Sequence, residues 1–145
     1  MLLQSDNFLN DALLPERYTC DGESLSPELH WLDFPVETKS FALYCYDPDA
    51  PSGRFVHWQV VNIPVSITHL SEGAKLVSPM QAIENDYGQL DYGPPCPPSG
   101  THHYIFVVYA LDVAELSGLT PNNFLEQVEE HSLARVELTG LYSRN

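Results

Sequence analysis

Four of the five residues from 94 to 98 are proline, in the run Gly93-Pro94-Pro95-Cys96-Pro97-Pro98-Ser99-Gly100. Proline carries no backbone N–H, so this stretch cannot supply ladder bonds inside a sheet and must be a stiff loop. It feeds residues 104–111, the longest apolar run in the chain and one rich in β-branched and aromatic side chains. A second stiff loop, Asp47-Pro48-Asp49-Ala50-Pro51-Ser52-Gly53, leaves another apolar run at 40–46. Short apolar runs cut by Pro and Gly predict a mainly β fold. Rigid loops fed by strong strands are where proteins commonly build sites.

The strand pattern can be read further. Apolar residues run together at 40–46, which predicts a strand buried on both faces. In a strand over 55–62, Phe55, His57, Gln59 and Val61 share one face, and Val56, Trp58 and Val60 the other. Ala134, Val136 and Leu138 alternate with Arg135, Glu137 and Thr139, predicting a late, half-exposed strand. One helix is expected near the C-terminus, with Thr120 as N-cap and Pro121 at its first position. Phe124, Leu125, Val128 and His131 then fall on one face. The 145 residues read as a single domain, 1–145, long enough for a hydrophobic core without staples.

Charge narrows the function. Asp and Glu number 20 against 6 Lys and Arg, a net charge of −14. Such a chain repels nucleic-acid backbones and anionic membrane surfaces over long range, so a nucleic-acid partner is not expected. The longest apolar run is far too short to span a bilayer, so no stable membrane insertion is expected. The first residues show neither the basic start nor the apolar stretch of a signal peptide. Three cysteines, Cys20, Cys45 and Cys96, form no C-x-x-C pair. The odd count predicts reduced, unreactive thiols and a cytoplasmic location, with Cys45 a small core residue.

Three pieces carry chemistry. Asp47 and Ala50 each precede a proline, which restricts their backbone and holds the Asp47 and Asp49 carboxylates in place. The second is His57, on a strand between Phe55 and Trp58. The third is Gly100-Thr101-His102-His103-Tyr104, where the proline loop becomes a strand and His102 shares a face with Tyr104 while His103 points away. Adjacent histidines pointing apart make a poor metal pair. His30, His69 and His131 read as surface or structural residues.

Asp47-Pro48-Asp49-Ala50-Pro51 with Val56-His57-Trp58 and Val61-Asn62-Ile63-Pro64 resembles the first signature of the phosphatidylethanolamine-binding protein family. Residues 93–104 resemble the second, and Tyr18-Thr19-Cys20-Asp21-Gly22 and Asn85-Asp86-Tyr87-Gly88 resemble further family segments. The short spacer between the first loop and Val56 is similar to the bacterial and archaeal, Raf-kinase-inhibitor-like branch. The resemblance implies an antiparallel β-sandwich with peripheral helices and a small anion-binding pocket at one end of the sheet. Its pocket positions fall on Asp47, His57, Pro98, His102 and Tyr104, with Asp49, Pro51, Phe55, Gly93 and Gly100 in support. No cofactor and no metal is implied. His103 stands where relatives carry Arg, which leaves the partner of that Arg to be found.

An anion in such a pocket would meet histidine N–H groups, the Tyr104 hydroxyl and backbone N–H groups near Gly93 and Gly100. Asp47 would either bind a cationic head such as ethanolamine's ammonium or fix a histidine tautomer. The expected ligand is a phosphate or phosphorylated head group. A protein partner, as in kinase regulation, is implied only by the resemblance. The alternative is a hydrolase using Asp47 with His57 or His102 as acid and base. No nucleophile elbow, P-loop or H-E-x-x-H is present, so no catalytic residue is assigned. Exposed edge strands would permit a dimer, but the sequence sets no oligomeric state.

Overall fold

Alternation of apolar side chains builds two sheets that share a core, in a computed structural model that describes residues 1–144. The larger is six-stranded and joins β2 (Ala12–Leu13), β4 (Ser40–Asp47), β5 (Phe55–Pro64), β7 (Gln81–Ile83), β8 (Thr101–Leu111) and β9 (Ser132–Ser143), in the order β2-β9-β8-β4-β5-β7. The smaller joins β1 (Leu2–Gln4), β3 (Leu29–Leu32) and β6 (His69–Leu70), in the order β1-β3-β6. Neighbouring strands are antiparallel except at the edge, where Ala12 and Leu13 run parallel to Gly140 and Leu141. Gly140 is needed there, because a Cβ would lie 2.6 Å from Leu14.

The predicted central strands 40–46, 55–62 and 104–111 lie within β4, β5 and β8, which are neighbours in the larger sheet. On one face Phe41, Leu43, Cys45, Trp58, Phe106 and Val108 meet Leu3, Leu29, Trp31 and Leu70 of the smaller sheet. On the other, Ala42, Tyr44, Val61, Val107 and Tyr109 are covered by Phe124 and Val128 of α1 (Phe124–Glu130). This is a β-sandwich with a peripheral helix. Both faces of β4 are buried because each faces an apolar layer.

Three local expectations are corrected. The helix begins at Phe124 and not beside Thr120. Thr120 instead closes the turn before it: its N–H donates to Asn123 Oδ1, and its hydroxyl accepts the Asn123 N–H. The faces of β5 also differ. Cys45 pairs with Trp58 but Tyr46 pairs with Val56, so a β-bulge leaves His57 unpaired. The bulge turns Val56 to the helix side and keeps Trp58 and Val60 on the sandwich side, while Gln59 and Val61 lie opposite.

The third correction concerns thiols. Cys20 and Cys96 form a disulfide with their Cα atoms 5.4 Å apart. The odd count misled because Cys45 is fully buried in the core, which leaves an even pair in the loops. With a disulfide in the fold, the cysteine argument for a cytoplasmic location falls away. No helix among the described residues is long and apolar enough to cross a membrane.

Candidate functional site

The two stiff loops meet at one end of the larger sheet. Between them lies a cavity of ≈ 230 Å³ lined by Asp47, Pro51, Phe55, His57, Pro98, His102 and Tyr104, together with Ala50, Tyr87, Cys96 and Pro97. The bulge in β5 explains how His57 arrives. As the unpaired residue it stays on the same side as Phe55, with ring centroids 5.0 Å apart, and it packs edge-on to Tyr104 at 5.3 Å. Regular alternation in β8 brings His102 and Tyr104 in together, stacked at 6.4 Å, while His103 faces solvent.

His57 is buried, and its Nδ1–H donates to the Gly93 carbonyl at 2.7 Å. A carbonyl only accepts, so that bond fixes the tautomer and leaves Nε2 without a proton in the neutral ring. Burial outweighs the Gly93 bond and the nearby Asp47 charge, and holds the His57 pKa below the ordinary imidazole value of 6.5. The Tyr104 hydroxyl is pushed well above the usual phenol range, first by burial and then by the Asp47 charge, so it remains an O–H donor. None of the described hydrogen bonds uses that hydroxyl.

Asp47 takes the second of its two expected roles. Its Oδ1 accepts the Asp49 N–H at 2.7 Å and its Oδ2 accepts from His102 Nδ1 at 2.6 Å. His102 Nε2 in turn faces the Ser99 carbonyl at 3.1 Å. Both ring nitrogens therefore face acceptor oxygens. The nitrogens of His102 are used within the wall, contrary to the expectation that they point to a ligand.

Among the supporting residues, Pro51 and Phe55 line the cavity and Asp49, Gly93 and Gly100 do not. The Gly93 N–H donates to the His57 carbonyl at 2.8 Å, so it is no anion donor. Its missing side chain matters instead, since a Cβ would lie 2.3 Å from the Tyr87 ring. Gly100 adopts φ of 71°, the left-handed backbone that lets the proline loop turn into β8. Asp49 answers the question raised at His103. Its Oδ2 accepts both the His103 N–H, at 2.8 Å, and His103 Nδ1, at 2.6 Å. The His103 bonds hold the Asp49 carboxyl below its usual range.

Tyr87 was not picked out from the sequence as a site residue. It packs 4.8 Å from Phe55 and 5.6 Å from His57, and its hydroxyl donates to the Pro94 carbonyl. Asn85 holds it there. Buried Asn85 donates to the carbonyls of His57 and Asp91 and accepts the N–H groups of Tyr87 and Gln89. The segment Asn85-Asp86-Tyr87-Gly88 was visible as family-like, and an Asn two residues before an aromatic next to Gly is a turn signal.

Residues 4–143 match the model of the family described as phosphatidylethanolamine-binding protein. The chain belongs to that family. Relatives in this phosphatidylethanolamine-binding protein family include a "UPF0098 protein" of Methanothermobacter thermautotrophicus, 45% identical over 99% of both chains. Another is a "UPF0098 protein" of Chlamydia muridarum, 41% identical over the full length of both. Among solved structures, Escherichia coli YbcL, described as a new member of the mammalian family, superposes with a TM-score of 0.91 at 32% identity, covering 99% of this chain and 98% of that one. The Chlamydia trachomatis homologue CT736 gives 0.90 at 37% identity, covering 99% and 97%. These relatives are bacterial and archaeal, in line with the compact first signature.

Proposed function

We propose that the cavity binds one small oxyanion, a phosphate group either free or as the head of a phosphomonoester. The pairing of Asp47 with His102 carries this reading. An unpaired carboxylate would repel such a ligand. Here both Asp47 oxygens already accept hydrogen bonds from the wall. Two groups that line the cavity carry no described bond toward it: His57 Nε2 and the Tyr104 hydroxyl. Tyr104 donates to the oxyanion. His57 accepts from a P–OH group when neutral and donates to P–O⁻ when protonated. Aromatic and proline side chains make up much of the wall, and their low polarity strengthens both contacts.

The hydrolase alternative finds no side-chain hydroxyl of serine or threonine and no free thiol in this arrangement and would depend on water as nucleophile. Cys96 is bonded to Cys20, and among the described residues no serine or threonine lines the cavity.

The bound state then holds one proton between His57 Nε2 and the ligand, whichever brings it, so binding tightens as pH falls, by at most about tenfold per pH unit. Isothermal calorimetry with inorganic phosphate and with phosphorylethanolamine, between about pH 5.5 and 7.5, tests this. Equal affinities assign the chemistry to phosphate itself. Tighter binding of phosphorylethanolamine assigns it to the head group, with the ammonium on the aromatic wall. His57→Gln should flatten the pH dependence. Absence of heat, with no NMR shift at His57 or Tyr104 at millimolar ligand, would end the reading.

A further inference from the structure

A second cluster, sharing no residue with the cavity, sits on the smaller sheet. His30 of β3 pairs directly across from His69 of β6, so both imidazoles stand on one face. Glu28 precedes β3 and is buried, an unusual place for a carboxylate. Its Oε1 accepts the Asp6 N–H at 2.7 Å, and its own N–H donates to Asn7 Oδ1 at 2.7 Å. That clasp ties the segment after β1 to the start of β3. It engages Oε1, which also lies 3.2 Å from His30 Nδ1, and leaves Oε2 to the histidines. Oε2 lies 2.8 Å from His30 Nδ1 and 3.1 Å from His69 Nε2. One carboxylate oxygen thus faces two imidazole nitrogens. The Asp6 carboxylate completes the group: the ligand atoms of Asp6, Glu28 and His30 all lie within 4.8 Å of one another.

We propose that Asp6, Glu28, His30 and His69 bind a divalent transition-metal ion of the zinc class. Two imidazole nitrogens and two carboxylate oxygens are a donor set that suits zinc. Tetrahedral zinc with arms of about 2.1 Å has edges of about 3.4 Å, so the two imidazole–carboxylate separations of 2.8 and 3.1 Å open slightly to admit it. Asp6 and His69 are both exposed, and each has to swing inward to close the shell around the ion. The ion takes the place of the hydrogen bond between His30 Nδ1 and Glu28 Oε2. Asp6 and His30 also line a cavity of ≈ 420 Å³ with Leu3, Phe8 and Leu138, which gives the ion a path from solvent. The net charge of −14 raises the local concentration of cations.

The test uses the full chain without a histidine tag, stripped with chelator and titrated with zinc chloride by calorimetry. Cobalt(II) absorption reports the geometry. One ion per chain with tetrahedral cobalt bands is expected. His69→Ala and His30→Ala should each weaken zinc binding by at least about tenfold. His69 is half exposed, so its loss leaves the fold intact, and an unchanged far-ultraviolet spectrum checks this. His57→Gln should leave zinc binding unchanged. The proposal is overturned if the wild-type chain binds no zinc at about hundred-micromolar concentrations, far weaker than structural zinc sites bind. It is equally overturned if the His30→Ala/His69→Ala double variant binds as well as the wild type. The cluster would then be a structural clasp only.

Discussion

Reduction of the Cys20–Cys96 disulfide should lower stability sharply without unfolding the native state. The bond closes a loop with a sequence separation of 76. Chain-entropy arithmetic for a loop of that length gives about 15 cal/mol/K, or about 4.5 kcal/mol at 25 °C. Residual structure in the unfolded chain trims this to about 3 kcal/mol. At roughly 3 °C per kcal/mol for a chain of this size, the melting temperature should fall by about 10 °C. The native fold should survive, because the same two segments are also joined without the bond. The Cys20 N–H donates to the Pro95 carbonyl at 3.1 Å, and the Tyr92 hydroxyl donates to the Tyr18 carbonyl at 2.9 Å.

The assay compares scanning calorimetry of the oxidised chain, the reduced chain and the Cys20→Ser/Cys96→Ser variant. Cys45 serves as an internal control. Burial pushes its thiol well above the ordinary cysteine range, so it stays unreactive in the folded chain. Since Cys96 lines the cavity, the proposed phosphate binding should also weaken a few-fold as the proline loop loosens. Agreement of the oxidised and reduced melting temperatures within about 2 °C would refute the loop-closure argument, because that shift is worth less than 1 kcal/mol.

Three further perturbations probe the site. Gly93→Ala forces Tyr87 off the cavity wall, costing about 1–3 kcal/mol by overpacking; the denaturant midpoint and the Tyr87 ring resonances report it. Asn85→Ala strips partners from two carbonyls and two N–H groups and should cost about 3 kcal/mol. Asn85→Asp should recover only the part owed to the two N–H groups, since a carboxylate cannot donate, and equal midpoints for the two variants would contradict this. For His57 the folded pKa lies below the unfolded value near 6.5. Below that pH the unfolded chain binds more protons, so stability falls as pH drops from 6.5 toward the folded value and is unaffected above it. Urea unfolding across this window should show a shallower slope in His57→Gln, and an unchanged slope would count against burial as the cause.

Legibility followed the range of the interaction. The central strands and the shared face of His102 and Tyr104 rest on alternation with a period of two, which neighbouring residues alone determine. The faces around His57 could not be read the same way. Whether a strand carries a bulge depends on its partner's register, here the step from Cys45–Trp58 to Tyr46–Val56. The same limit hid the disulfide, which joins residues 76 apart, and Tyr87, whose place depends on buried Asn85 reaching two other segments. Thr120 shows a subtler failure. The capping chemistry was present, but it was used to close a turn before the helix began.

The apparent conflict between an acidic chain and the anion site proposed for it dissolves on considering distance. Charges more than about 8–10 Å from the cavity are largely screened at physiological salt, so the net charge governs what approaches the protein more than what fits inside it. Within the cavity the balance is set by a few groups at hydrogen-bond range. Asp47 is hydrogen-bonded by His102, and Asp49, which looks outward, is engaged by His103. Both carboxylates of the first stiff loop are therefore matched by imidazoles that the second loop delivers at the start of β8. His103 bonds to that carboxylate through both its backbone N–H and its ring. What faces the hollow is then a buried imidazole and a phenol, a pair that favours a ligand bringing its own proton. Monoanionic phosphate is such a ligand; a carboxylate, ionised throughout this pH range, is not.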